Sequence, residues 1–262
     1  MRYPGRVVMI GERDAAVVKA LKSALNRALV LRGDDALRLD PDNPRFGAQM
    51  KHAVQLFQAR HVDPVTGVPL KIDGEVGSLT WAALFGPGTV STAIRTSSAL
   101  LARALVIAAA QVGVREQPAN SNRGPVVEQY LHRVGVPPGN SWCCAFTYWC
   151  LDEASRQLGV PNPMVRTGGC MKHWNTAPVD RAARITMVRA VADPRLVRPG
   201  QIFIQHTGGW MGHTGFVEEV VGGQVHTIEG NTDASMTREG GGVYRLTRKL
   251  VDINIGFIDY SR

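Results

Sequence analysis

The sequence predicts an α+β fold. A small three-helix bundle comes first in the chain, and a domain in which helices pack on one antiparallel β-sheet follows it. Up to about residue 158, apolar residues recur at the spacing of one helix face. After Arg198-Pro199-Gly200 the period becomes strand-like, in short β-rich segments that glycines separate. Helices first and a meander of strands afterwards is the arrangement typical of α+β proteins.

Three short helices are predicted in the first third of the chain, at residues 14–31, at residues 47–61 and between Ser78 and residue 86. Ser78 follows a glycine turn and is expected to cap the third helix. The first two helices carry buried stripes, formed by Val17, Val18, Leu21, Leu25, Leu29, Met50, Val54 and Phe57. Together they predict a bundle with a core of its own.

A specific motif runs through the last two of these helices and the turn between them. Its residues are Phe57, Gln58, Ile72, Asp73, Gly74, Gly77, Thr80, Trp81 and Leu84. We expect Gly74 and Gly77 to adopt backbone geometry closed to other residues. The motif resembles the three-helix peptidoglycan-binding domain of the PG_binding_1 type. The resemblance implies that residues 1–86 bind the cell wall, and a generic three-helix bundle is the alternative.

Residues 87–97 have the composition of a linker, and residues 98–262 form the second predicted domain. Helices are expected there at residues 96–112, 126–133 and 140–158, with a short one around 170–174 in an otherwise irregular stretch, 159–197. Strands are expected at residues 201–206, 213–221, 224–229, 242–250 and 253–260.

Composition excludes some classes of protein and favours certain partners. No apolar run approaches the roughly 18–20 residues that span a bilayer, so we expect no membrane insertion. The N-terminus lacks the apolar core of a secretory signal, which predicts synthesis in a cytoplasm. A net charge of +8 favours anionic partners such as nucleic acid, anionic lipid or an acidic wall polymer. The basic residues are scattered, which argues against a nucleic-acid groove.

A cysteine at the predicted start of the helix 140–158 is the strongest chemical signal. Cys143 follows Trp142, and the helix has one apolar face formed by Trp142, Ala145, Phe146 and Trp149. The preceding turn, which contains Asn140 and Ser141, is expected to supply a polar cap. A thiol in the first turn lies at the positive end of the helix dipole, which favours the thiolate.

The four cysteines are Cys143, Cys144, Cys150 and Cys170, and their spacing matches no metal-binding pattern. Cys143 and Cys144 point to different sides of a helix, so at most one of them is the nucleophile. Buried free thiols are expected at Cys150 and Cys170.

A nucleophilic thiol needs an imidazole, and His213 has the most favourable context of the seven histidines. It opens a predicted strand between Gly212 and Gly215, and small flanking residues leave the strand open to a ligand from one side. A zinc amidase that uses His206, His213, Cys170 or His173 is a weaker alternative, because those spacings match no familiar ligand set.

Three motif cores, around Trp142-Cys143, around Gly212-His213-Thr214-Gly215 and around Glu229-Gly230-Asn231, resemble in order and spacing the CHAP amidohydrolase/peptidase domain of the papain-like NlpC/P60 clan. The resemblance implies that Cys143 attacks, that His213 is the base and that Glu229 orients it, with Asn231 as a polar helper. Cys144 stands where the family usually has a small residue.

A second donor for the oxyanion, beside the Cys143 N–H, is expected from the loop of Asn140, Ser141 and Trp142. The aspartate-rich calcium loop of some CHAP enzymes is absent before Cys143. We therefore expect no metal and no cofactor.

The length of the loop between the strands 213–220 and 224–231 decides whether Glu229 lies on the same face of the hairpin as His213. A two-residue loop, Gly222-Gly223, would put His213 and Glu229 on opposite faces of the hairpin. A three-residue loop, or an equivalent bulge, puts them on one face, and we hypothesise that arrangement.

The combined resemblances predict a peptidoglycan hydrolase of the endolysin type, an amidase or an endopeptidase, that acts as a monomer and does not bind nucleic acid. We expect it to be made in the host cytoplasm and to reach the periplasm or wall after release. The alternatives are a wall-binding protein that no longer cuts, and a bacterial autolysin or exported effector with the same chemistry.

Overall fold

The computed structural model describes residues 1–29, 38–64, 67, 69–90, 96, 98–236 and 240–262. Those residues form eight α-helices and one six-stranded antiparallel sheet, which confirms the α+β prediction. None of the described helices is long and apolar enough to cross a bilayer. The contacts divide the chain into one unit of Met1–Thr92, Val191–Pro194 and Val221–Gly223, and a second unit of the remaining residues.

The helices are α1 (Ala15–Ala28), α2 (Ala48–Arg60), α3 (Ser78–Phe85), α4 (Ala99–Ala110), α5 (Pro125–Val134), α6 (Cys143–Leu158), α7 (Cys170–Thr176) and α8 (Met187–Ala192). Residues 30 and 31 of the first predicted helix, and residues 91–95 and 97 of the predicted linker, lie outside the described part of the chain.

In the first unit, α1, α2 and α3 enclose a core of their own that contains the predicted stripes. Asp14 caps α1, because its side chain accepts hydrogen bonds from the amides of Ala16 and Val17. The cap of α3 is Gly77, and Ser78 is a buried residue of the helix itself. The prediction that Ser78 caps this helix is therefore wrong.

A buried glutamine holds the turn between α2 and α3. The amide nitrogen of Gln58 donates to Asp73 Oδ1 and to the Glu75 carbonyl, both at 2.9 Å, and its oxygen accepts from the Gly74 amide at 2.9 Å. Gly74 has a φ of +75°, which requires glycine as predicted. Gly77 has a φ of −82°, which other residues adopt, so the same expectation is wrong there.

In the second unit, α6 lies at the centre, because α4, α5 and the strand Gln224–Thr232 all pack against it. Its buried residues include Phe146, whose ring makes edge contacts with Tyr130, Trp142 and Phe216. The predicted apolar face of this helix is thus the face that joins the helical layer to the sheet.

The strands are β1 (Ala183–Thr186), β2 (Ile202–Gly208), β3 (Met211–Val221), β4 (Gln224–Thr232), β5 (Gly242–Lys249) and β6 (Gly256–Asp259), in the sheet order β1-β6-β2-β3-β4-β5. β1 and α8 lie in the stretch predicted to be irregular. β1 has only four residues, too few for a visible period, and it forms by pairing with β6 at the far end of the chain.

The hairpin of β3 and β4 turns at Gly222 and Gly223, whose φ angles are +57° and +87°. The loop therefore has two residues rather than three, so of the two forms of the hypothesis only the equivalent bulge remains. A regular ladder from this loop would separate His213 and Glu229, yet their side chains are hydrogen-bonded at 2.6 Å. The ladder between these strands must therefore contain a one-residue irregularity.

Candidate active site

Cys143 is the first residue of α6 and is almost fully buried. The N-cap is Trp142, which makes no side-chain capping hydrogen bond. Asn140 does not cap the helix, since its amide nitrogen donates to the Pro137 carbonyl at 2.9 Å. The predicted polar cap is therefore wrong, and the amide of Cys143 is a first-turn N–H at the positive end of the helix.

Trp142 is a core residue. Its indole N–H donates to Glu116 Oε1 at 2.8 Å, and Glu116 also accepts from the Asn122 amide at 2.9 Å. Trp142 belongs to the loop expected to supply an oxyanion donor, but its indole N–H is used inside the protein. Sequence reasoning missed Glu116, which lies 26 residues before Trp142.

His213 lies on β3 with 2% of its surface exposed. Its Nε2 is 2.6 Å from Glu229 Oε2, and its Nδ1 has no hydrogen-bond partner among the described residues. The Cys143 sulfur lies 4.0 Å from the carbonyl oxygen of Gly212, the residue just before His213. The structure therefore brings Cys143, His213 and Glu229 together, with Nδ1 as the nitrogen available to the thiol.

The carboxylate of Glu229 is fully buried and has several donors. Besides His213, it accepts from Thr227 Oγ1 at 2.5 Å and from Arg248 Nε and Nη2, both at 2.6 Å. Burial raises the pKa of Glu229, but the hydrogen bonds from Arg248 and His213 outweigh burial and lower this pKa to about 2. An ionised Glu229 accepts from Nε2–H, which fixes the tautomer of neutral His213.

Two thiols lie beside Cys143. The Cys170 sulfur is 3.5 Å from the Cys143 sulfur, and Cys144 donates to the Thr167 carbonyl at 3.4 Å, on another side of the helix. The pKa of Cys143 is raised well above its ordinary value, first by the contact with Cys170 and then by burial, while His213 lowers it. The contact with Cys170 and burial therefore oppose the thiolate that the helix start and His213 favour.

Burial lowers the pKa of His213, but the contacts with Cys143 and Glu229 outweigh burial and raise this pKa to about 9. When both groups are protonated, the pair holds a thiol and an imidazolium. Loss of one proton from the pair gives the reactive thiolate beside an imidazolium. A higher pH favours this form over the fully protonated pair.

Asn231 is buried and has a φ of +59°, in the irregular part of the β4–β5 pairing between Glu229 and Thr232. Neither polar atom of its side chain has a hydrogen-bond partner within the described ranges. Asn231 therefore makes no hydrogen bond to His213. Its role as a helper stays a prediction.

The four side chains named for a zinc site do not converge. His206 Nε2 lies 2.8 Å from the Gly209 carbonyl, and His173 Nε2 lies 2.8 Å from the Tyr260 hydroxyl. Burial lowers the pKa of His173 to about 3, so this ring is neutral. The described part of the chain contains no group of three or more His, Cys, Asp or Glu that could hold a metal ion.

No curated protein matches the chain. A solved structure described as "X-ray Crystal Structure of PlyC" aligns with 98% of this chain at 17% sequence identity and a TM-score of 0.37. The aligned part is 53% of that structure, so this chain spans about half its length. A likeness at this TM-score supports neither a fold nor a function for this chain.

A comparison with protein-family models matches one continuous region of the chain. The matched residues, 135–231, contain Cys143, His213 and Glu229, whereas Arg248 and residues 1–92 lie outside them. Residues 135–231 of this chain are therefore similar to the CHAP domain family.

Proposed function

We propose that this protein is a cysteine hydrolase that cleaves an amide bond of bacterial peptidoglycan. The observation that carries the proposal is the buried contact of His213 with Glu229, directly beside a cysteine at the start of a helix. These are the three parts that thiol-based acyl transfer requires: a nucleophile, a base and a group that orients the base. The match of residues 135–231 to the CHAP domain supports peptidoglycan as the substrate.

In the proposed mechanism, His213 Nδ1 takes the proton of Cys143, and the thiolate attacks the amide carbonyl. The backbone N–H of Cys143, at the positive end of α6, stabilises the oxyanion. Protonated His213 then gives its proton to the leaving amine, and water hydrolyses the acyl-enzyme. Asn140 and Ser141 stay proposed as second donors, although Asn140 would first have to leave the Pro137 carbonyl.

The test is digestion of purified sacculi by the wild type, by Cys143→Ala and by the matched control Cys144→Ala. Cys143→Ala is expected to lose on the order of 10⁴-fold in rate, whereas Cys144→Ala keeps most of it, because Cys144 contacts Thr167 and not His213. Mass spectrometry of the fragments identifies the bond. A new lactyl end indicates an amidase, and a new peptide amine within the cross-links indicates an endopeptidase.

If the wild type releases no fragments but sediments with sacculi, the protein is a wall-binding protein and the proposal is wrong. If Cys144→Ala is the inactive variant, the nucleophile is Cys144. Activity that EDTA removes would favour the zinc alternative.

We further propose that residues 1–86 bind the wall, so that the whole protein works as an endolysin-like monomer once it is released from the cytoplasm. The turn that Gln58 holds supports a structured N-terminal unit. The inactive Cys143→Ala protein should sediment with sacculi and elute from a sizing column as one chain. Binding to heparin but not to sacculi would contradict this proposal and favour a nucleic-acid partner.

A further inference from the structure

One buried cation touches the proposed catalytic group. Arg248 lies on β5 with 7% of its surface exposed. Its guanidinium contacts Glu229 with two parallel hydrogen bonds, Nε to Oε1 and Nη2 to Oε2, each 2.6 Å long. This forked geometry is the strongest form of an arginine–carboxylate pair, and it fixes the plane of the carboxylate as well as its charge.

Neighbours on β2 hold the guanidinium in place. Arg248 Nη1 lies 3.4 Å from Gln205 Oε1, and the Phe203 ring lies under the guanidinium at 5.3 Å. The same Phe203 ring is 5.9 Å from the His213 ring, centroid to centroid. One aromatic ring therefore packs against both the cation and the imidazole, on either side of Glu229.

The Glu229 oxygen that accepts the hydrogen bond from the imidazole also accepts one from Arg248. Glu229 Oε2 lies 2.6 Å from His213 Nε2 and 2.6 Å from Arg248 Nη2. A carboxyl group with no exposed surface would become protonated if it lacked a permanent counter-ion. His213 cannot fill that role in every step, because it is neutral during part of the reaction. Arg248 stays charged throughout.

The charges of the four buried groups lead to the same conclusion. In the reactive form, the Cys143 thiolate and Glu229 are negative, while the His213 imidazolium and Arg248 are positive, so the group is neutral. Without Arg248, that form would carry one uncompensated negative charge in a buried site. Loss of the proton from the Cys143–His213 pair would then become harder.

We propose that Arg248 is a positioning residue for this site: it keeps Glu229 ionised and directed at His213 Nε2, and so favours the thiolate of Cys143. The inference rests on the proposed function but goes beyond it. Arg248 lies after the residues that match the CHAP domain, and it is too buried to serve as a substrate contact.

The test is the pH dependence of two rates in Arg248→Gln: alkylation of Cys143 by iodoacetamide, followed by peptide mass mapping, and digestion of sacculi. We expect the midpoint at which both rates rise to move to higher pH by about one to three units. The value of kcat at neutral pH should fall about 10²-fold, with KM nearly unchanged. Glu229→Gln should move the midpoint the opposite way, because it removes the negative charge beside His213.

Arg245→Gln is the matched control. Arg245 lies on the same strand and also contacts a carboxylate twice, Glu218 at 2.9 and 3.0 Å, but its side chain is half exposed. Its loss should leave both pH profiles unchanged. Arg248→Lys keeps the charge and loses the fork, so its midpoint should stay near that of the wild type while kcat falls.

Arg248→Gln with the rates and midpoint of Arg245→Gln would overturn the inference. If Arg248→Gln does not fold, Arg248→Lys decides: unchanged kcat overturns the inference, and reduced kcat at an unchanged midpoint supports it. Alkylation needs no substrate. A shifted alkylation profile in a protein that cannot digest sacculi would refute the proposed function and leave the role of Arg248 intact.

Discussion

The sulfur atoms of Cys143 and Cys170 lie 3.5 Å apart, and each belongs to the first residue of a helix, α6 or α7. Cys170 also packs against the β3 backbone, since a Cβ on Gly212 would lie 2.9 Å from the Cys170 Cβ. The proposed nucleophile thus lies between an imidazole that favours its thiolate and a thiol that opposes it.

Removing the second thiol should make Cys143 more acidic. In Cys170→Ala we expect the pKa of Cys143 to fall, because the contact with Cys170 is the largest cause of its rise. The rate of Cys143 alkylation near neutral pH should therefore increase, as measured by mass spectrometry over a pH series. Cys150→Ala removes an equally buried thiol of α6 and should have no such effect. Equal alkylation profiles in the two variants would contradict the prediction.

Mild oxidation should join the two sulfurs. They need to approach from 3.5 Å to about 2.05 Å to form a disulfide. One hydrogen peroxide would take one hydrogen from each thiol and leave two water molecules, so the intact mass should fall by two hydrogens. Hydrolysis should stop and return with a thiol reductant. In Cys170→Ser the mass loss should disappear, and a mass loss that persists there would point to another pair.

Loss of the Glu229 charge should lower the pKa of His213. Glu229 is one of the contacts that raise this pKa to about 9, so in Glu229→Gln the proton leaves the Cys143–His213 pair at lower pH. The rate should nevertheless fall by on the order of 10²-fold or more, because an amide holds the imidazole less firmly. The pH profile of sacculus digestion measures both effects. Glu218→Gln, which removes a partly exposed carboxylate, is the control.

A methyl group on Gly230 should destabilise the second unit. A Cβ there would lie 2.6 Å from Trp142 Cζ3 and 2.9 Å from Phe146 Cγ, so α6 would have to move away from β4. We expect Gly230→Ala to lower the free energy of unfolding by about 1–3 kcal/mol, measured by urea denaturation. The control is Gly169→Ala, where the nearest atom lies 3.6 Å from the added Cβ. Equal midpoints for the two variants would show that the contact relaxes without cost.

The sequence alone determined the parts that depend on local pattern. The helical period predicted α6 through its last residue, Leu158, because residues three and four apart share a face whatever lies around them. Glycine context singled out His213, and the resemblance to the CHAP domain implied Glu229. These two residues lie on adjacent strands of one hairpin, and they meet because a one-residue irregularity in the ladder accompanies the two-residue loop.

Tertiary structure decided the contacts between distant segments. Glu116 meets Trp142 across 26 residues, Cys170 meets Cys143 across 27, and Arg248 meets Glu229 across a strand pair 19 residues apart in the chain. No periodicity encodes such pairs, because they arise when separate elements bury their surfaces together. The environment of the nucleophile and the charge of its supporting carboxylate are therefore products of packing, whereas the helix and the hairpin that carry them follow from local sequence.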